Sequence, residues 1–246
     1  MLVMYHMDID LRKYLQQKHD QLKWKEKIKI IVDIVDALLR IHKENAIHWD
    51  LHSGNILYSK YNNNWYISDL GFCGPADKPL GSIYGNLPYI APEVIAGKGY
   101  TFASDIYSVA MLMWEILSGQ PPFANFKYND YDIAMKIING IRPKIIPGIP
   151  LEYKELMQQC WDANPEKRPD INAVRKKFFY MNKSYHQNES EQQTNNTIIN
   201  LQLNANSISL VKKFSKLHIF ENLPEPRNAT EGKILNLNLC LSRFKI

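Results

Sequence analysis

Residues 48–55 read His48-Trp49-Asp50-Leu51-His52-Ser53-Gly54-Asn55, and two further clusters follow in order, Asp69-Leu70-Gly71 and Ala91-Pro92-Glu93. Each cluster alone has the bland reading of a polar turn. Around the first two the chain reads as short strands, Ala46 to His48, Ile56 to Tyr58 and Trp65 to Ser68. The last two are separated by Tyr61-Asn62-Asn63-Asn64, a polar stretch suited to a hairpin turn. Such a hairpin sets Asn55 and Asp69 on the two sides of one strand pair, which fixes their separation.

Helical periodicity lies outward from this centre. Between Lys25 and Lys43 apolar residues fall at Ile28, Ile31, Val32, Val35, Leu38 and Leu39, which predicts a core helix. From Ser104 to Ser118 the chain is nearly all apolar, and Gly119 followed by Pro121 and Pro122 supplies a stop signal. That helix should be buried on most sides. Shorter helices are predicted over Ile9 to Gln17, Asp132 to Asn139, Glu152 to Trp161 and Ile171 to Tyr180, the last with Asp170 as its N-cap. Met1 to Tyr5 reads as a short buried strand.

Beyond Tyr180 the composition turns to Asn, Gln and Ser, as in NKSYHQNESEQQTNNTIINLQLNANS. Such sequence buries too little apolar surface to offset its ordering entropy, so residues 181–246 are expected to form a low-complexity, disordered tail. The formal charge is +5, but Lys and Arg are scattered, which argues against a nucleic-acid partner. Cys73, Cys160 and Cys240 are far apart and fit neither a disulfide framework nor a zinc site, so a reducing compartment is expected. With no run of about 18 apolar residues and no secretory leader, the reading expects no membrane partner and a cytoplasmic location, with the nucleus second.

Taken together, the three clusters resemble the catalytic loop, metal-binding triplet and activation-segment anchor of the protein kinase family, in its serine/threonine, tyrosine-kinase-like form. The likeness continues through Ser104-Asp105-Ile106-Tyr107-Ser108, Trp114-Glu115, Cys160-Trp161-Asp162 and Arg168-Pro169, so it spans residues 1–180. One position matches by chance about one time in twenty. A dozen in register do not.

The resemblance implies a mainly α fold, a kinase-like C-terminal lobe built as a helical bundle with short β-hairpins. It implies ATP and Mg²⁺ as cofactors and a protein substrate whose Ser or Thr hydroxyl, before Tyr, accepts the phosphoryl group. Asp50 would orient or accept the hydroxyl proton, with His52 beside it. Asn55 completes the catalytic set, and Asn55 and Asp69 would be hard oxygen ligands for the metal. Met4, Tyr5, His6 and Met7 resemble the hinge that meets the adenine edge, and Leu57 resembles the apolar floor beneath it. His48 and Leu70 resemble members of an apolar stack, Asp105 the acid that fixes the catalytic-loop backbone, and Glu93 with Arg168 a structural ion pair.

The chain also departs from that family. Residues 1–246 hold no glycine-rich phosphate loop, strand lysine or partnering helix glutamate, so the reading expects a chain truncated at the hinge strand with the N-terminal lobe largely absent. Trp49 replaces an arginine that pairs with activation-segment phosphate, His52 a lysine near the transferred group, and Asn86 a threonine that contacts the catalytic aspartate. Apolar surface around Met1 to Tyr5, Leu57 and Ile67 would then call for a covering partner protein. The alternative reading is a catalytically inactive, pseudokinase-like interaction module.

Overall fold

Two long helices set the frame, α2 (Trp24–Lys43) and α4 (Phe102–Ser118), in a computed structural model that describes residues 6–75, 83–124, 129–191, 215–220 and 223–228. Helix α2 follows β1 (Ile9–Asp10) and α1 (Leu11–Lys18). It buries Ile28, Ile31, Ile34, Val35 and Leu38, a stripe at helical spacing. At its start the Lys23 amide donates to Glu26 Oε2 at 2.8 Å. The stripe packs against α4, against α7 (Ile171–Glu191) and against a hairpin of β3 (Ile56–Ser59) and β4 (Asn64–Ile67). A bond from the Trp65 amide to Asp33 Oδ2, 3.1 Å, pins that hairpin to α2.

Strand β1 adds to the hairpin to give an antiparallel sheet in the order β1-β3-β4, with Asp10 opposite Leu57 and Ile56 opposite Ile67. Asn63 takes φ +56° in the turn, a left-handed conformation that Asn tolerates. A second small pair joins β2 (Ala46–Ile47) to β5 (Gly74–Pro75), and a third joins β6 (Ile83–Gly85) to β7 (Lys216–His218). The short helix α3 (Pro92–Ile95) lies against α5 (Asp130–Ile138), and α6 (Leu151–Cys160) against α4 and α7.

Helix α4 is buried on nearly every side. Its N-cap Thr101 accepts from the Ser104 amide, while Ser104 Oγ accepts from the Thr101 amide at 3.0 Å. Gly119 ends it at φ +73°, and a Cβ added there would stand 2.5 Å from Cγ of His19, whose Nε2 donates to the Leu117 carbonyl at 2.7 Å. Gly119→Ala should therefore lower stability by about 1–2 kcal/mol from the left-handed backbone alone, with the clash adding to it. Urea denaturation would check this, and an unchanged midpoint would refute it.

The sequence reading places the last helix at Ile171 to Tyr180, yet α7 runs to Glu191. Asp170 caps it as expected, accepting from the Ala173 amide at 2.8 Å. No Gly or Pro lies between Phe178 and Glu191. Asn, Ser and Gln lower helix propensity by only some tenths of a kcal/mol each, so the polar composition does not stop the helix. Two parts of the expected disordered tail, residues 215–220 and 223–228, lie against the domain. The Arg227 amide donates to the Ile138 carbonyl at 2.9 Å, and Asn228 Oδ1 accepts from the Ala163 amide at 2.7 Å. Met4 and Tyr5 lie outside the described residues.

Candidate active site

The loop from His48 to Asn55 is shaped from below by one carboxylate. Asp105, on the first turn of α4 and 1% exposed, accepts from the His48 amide at 2.8 Å, the Trp49 amide at 3.2 Å and His42 Nε2 at 2.9 Å. Those bonds hold Trp49 at φ +69°, a left-handed conformation costly for a bulky side chain. The strain turns the chain sharply just before Asp50. Trp49 is further braced by Tyr100, ring centroids 5.5 Å apart, whose hydroxyl donates to the Tyr84 carbonyl and so ties the loop to β6.

Asp50 is 3% exposed, and its Oδ1 accepts from the Asn86 amide at 3.2 Å and stands 3.6 Å from His52 Nε2. Oδ2 is buried and has no hydrogen-bond partner among the described residues. Burial pushes the Asp50 carboxyl up, but His52, the Ser215 hydroxyl and the Asn86 amide outweigh it and hold Asp50 below its ordinary value. The result is an ionised carboxylate with an oxygen free to take a proton. Asn86 does meet Asp50, through its backbone amide.

Asn55 and Asp69 are tied to the same loop by short bonds. Asn55 Nδ2 donates to the Asp50 carbonyl at 3.0 Å, which leaves the amide oxygen facing the other way. Ser68 donates to the Asn55 carbonyl through both its amide, 2.8 Å, and its Oγ, 3.0 Å. His48 Nε2 in turn donates to the Ser68 carbonyl at 3.0 Å. Asp69 follows at φ +61°, exposed and without a cap hydrogen bond from its side chain. Burial, then Asp50 and Asp69, push the Tyr84 hydroxyl up. Burial, Asp105 and Asp69 likewise push the Cys73 thiol up to about 11, leaving it protonated and inert.

An amide oxygen and an uncommitted carboxylate are the donors that a hard divalent cation takes, and Mg²⁺ binds through one or two carboxylates while keeping phosphate and water ligands. These residues therefore fit that ion. His6 and Met7 lead into β1 through a bond from the Asp8 amide to the Tyr58 carbonyl at 2.9 Å, on the same sheet as half-buried Leu57. His48 is buried as expected, but Leu70 is 54% exposed, because the turn after Asp69 carries it outward where no described residue covers it. Leu70 thus does not join an apolar stack with His48 among the described residues.

Sequence reasoning missed a polar network under the loop. Ser53 Oγ donates to Glu115 Oε1 at 2.8 Å and the Tyr89 hydroxyl to Glu115 Oε2 at 2.6 Å, while Arg12 Nε reaches Ser53 Oγ at 3.1 Å. Burial pushes the Glu115 carboxyl up, against the pull of Arg12, Tyr89 and Ser53. Glu115→Ala would leave two buried hydroxyls without their acceptor and should cost about 2–4 kcal/mol. Denaturation of the two proteins would test it, and a loss within 0.5 kcal/mol, about the scatter of neutral surface changes, would contradict it.

The ion pair read from the sequence is present, with Arg168 Nη1 and Nη2 donating to the two Glu93 oxygens at 2.7 and 2.6 Å. A strained catalytic-type loop, a hairpin-flanking amide–carboxylate pair and this buried anchor are features of a protein-kinase-like domain. A family model described as protein tyrosine and serine/threonine kinase matches residues 1–178, and the chain belongs to that family of phosphotransferases. It is 31% identical over 191 residues to a probable serine/threonine-protein kinase, roco7, of Dictyostelium discoideum, covering 73% of this chain and 7% of that protein. Over 199 residues it is 30% identical to the dual specificity protein kinase zakA of the same organism, covering 74% of this chain and 25% of that one. A dual serine/threonine and tyrosine protein kinase of Apis mellifera is 31% identical over 162 residues, 62% of this chain and 16% of that protein. The matched region spans a quarter or less of these relatives. No helix among the described residues is long and apolar enough to cross a membrane.

Proposed function

We propose that this chain transfers the terminal phosphoryl group of ATP to a Ser or Thr hydroxyl of a protein, with Asp50 as the proton acceptor. The observation that carries the reading is the Asp50 carboxylate itself, buried and held in its ionised form, with one oxygen held by the Asn86 amide and the other without a partner among the described residues. An acceptor hydroxyl placed at that free oxygen loses its proton as the oxygen–phosphorus bond forms. His52 gives a hydrogen-bond donor beside the carboxylate that fixes the hydroxyl's direction.

Asn55 and Asp69 would hold Mg²⁺, which when bound neutralises phosphate charge. The Ser68 bridge keeps the two at a constant separation, so positioning comes from the hairpin and not from the loop alone. Leu57, His6 and Met7 are proposed to meet the adenine. Similarity to serine/threonine and dual-specificity kinases favours a Ser or Thr hydroxyl, with the tyrosine hydroxyl second.

The test is a titration of the chain with ATP, with and without Mg²⁺, followed by phosphate transfer to an added acceptor protein. Binding that needs Mg²⁺ and is lost in Asp69→Ala supports the assignment. A folded chain that binds no nucleotide would point instead to a non-catalytic interaction module.

A further inference from the structure

Strand β7 comes from the C-terminal region, yet it pairs antiparallel with β6, the strand that ends beside Asp50. The register sets Lys216 opposite Gly85, Leu217 opposite Tyr84 and His218 opposite Ile83. Side chains alternate along it as a strand on a surface requires: Leu217 and Ile219 are exposed, while His218 is buried. His218 Nε2 donates to the Gly85 carbonyl at 3.0 Å, and Lys216 Nζ pairs with Asp130 Oδ2. Phe220 stacks on His218 with centroids 5.8 Å apart, lies near Tyr131 and packs against the core. These contacts deliver one residue, Ser215, to the catalytic loop. Its Oγ stands 2.8 Å from His52 Nε2.

The direction of that bond follows from the other ring nitrogen. His52 Nδ1 accepts from the Gly54 amide at 3.0 Å, so in the neutral ring the proton sits on Nε2 and is donated to Ser215 Oγ. The hydroxyl's own hydrogen is then directed elsewhere, and the same His52 Nε2 stands 3.6 Å from Asp50 Oδ1, which places Ser215 next to the candidate base. A serine hydroxyl hydrogen-bonded to the residue beside the candidate base, on a strand that continues the sheet edge, has the placement of an acceptor.

We infer that residues 215–220 occupy, within the same chain, the position of an acceptor polypeptide, and that Ser215 is its phosphoacceptor. The chemistry rests on the kinase reading, whereas the docking stands on geometry alone. In the transfer the Ser215 O–H bond breaks and its proton passes to Asp50. The Oγ–phosphorus bond forms as the bond from the terminal phosphorus to the bridging oxygen breaks, and the nucleoside diphosphate departs with that electron pair. Docking also excludes an external acceptor strand from β6, so the segment competes with protein substrates.

Two arms on the full chain test this. Hydrogen–deuterium exchange at residues 83–85 should accelerate about tenfold or more in His218→Glu, which sets a second carboxylate beside Asp130, with residues 102–118 unchanged. Lys216→Glu should act in the same direction, and the hexapeptide of residues 215–220 should bind His218→Glu about tenfold more tightly than the parent chain. Equal exchange and equal peptide binding in all three proteins would overturn the docking.

In the second arm, Mg²⁺ and ATP should place phosphate on Ser215 at a rate per molecule unchanged by dilution, and Ser215→Ala should lose that site while still modifying an added acceptor protein. Transfer to the added protein with Ser215 unmodified would overturn the acceptor assignment and leave the kinase reading standing. Transfer to neither would overturn both, while the exchange arm still decides the docking.

Discussion

Arg168→Ala should cost about 3–5 kcal/mol of folding stability, because it leaves Glu93 charged and buried with its partner gone. The Arg168 side chain is 0% exposed and that of Glu93 5%. The pair is bidentate, so the carboxylate loses two charge-assisted bonds at once. The guanidinium also donates to the Asp162 carbonyl through Nε and to the Ala103 carbonyl through Nη1, both at 2.8 Å, and lies 5.2 Å from the Tyr107 ring centroid. One side chain therefore joins the segment carrying α3 to the start of α4 and to the turn before α7. The reciprocal change, Glu93→Ala, should cost less, since the arginine keeps its two carbonyl acceptors. Urea denaturation of both variants gives the comparison. A loss under about 1 kcal/mol for Arg168→Ala, the worth of an exposed pair, would refute the assignment.

That ion pair was legible in the sequence through its resemblance to the protein kinase family. Ala91-Pro92-Glu93 and Arg168-Pro169 are runs whose family resemblance implies the ion pair; nothing in their spacing along the chain does. The same holds for Asp105, an acid in the first turn of a helix too apolar to be exposed, which the structure shows gripping the His48 and Trp49 amides. Periodicity located α2 and α4 to within two residues at each end because apolar burial sets both pattern and fold.

What stayed hidden depended on residues that meet only in three dimensions. Arg12, Ser53, Tyr89 and Glu115 come from four separate segments, and no spacing links them. Glu115 alone carried a signal: a carboxylate within the buried run from Val109 to Leu117 must find donors, though the sequence does not say which. Composition misled in the C-terminal region. Asn and Gln dominate after Tyr180 and mask the short alternation of Leu217 and Ile219 with His218 and Phe220, which has a partner only because β6 presents an open edge. Leu70 shows the converse, an apolar residue whose likeness to a buried member of a stack does not make it buried.

Asp50→Asn should reduce phosphoryl transfer by about 10²–10⁴-fold, the usual worth of a positioned general base, and leave the fold intact. The amide oxygen can still accept from the Asn86 amide, so the local bond that sets the loop against β6 is retained. What disappears is the negative oxygen that receives the acceptor's proton. The substitution also carries a pH signature that separates chemistry from structure. Asp50 sits below its ordinary value in the folded chain, so its ionised form stabilises the fold above the unfolded value of about 3.9, and that stability is lost as pH falls through the lower folded value. Asp50→Asn removes this contribution, so the stability gap between the two proteins should be constant at neutral pH and close on acidification below about pH 4. Activity, by contrast, should remain low across the whole range. A variant that transfers phosphate within threefold of the parent, roughly 0.7 kcal/mol of barrier, would remove Asp50 from the reaction and with it the assignment of the site.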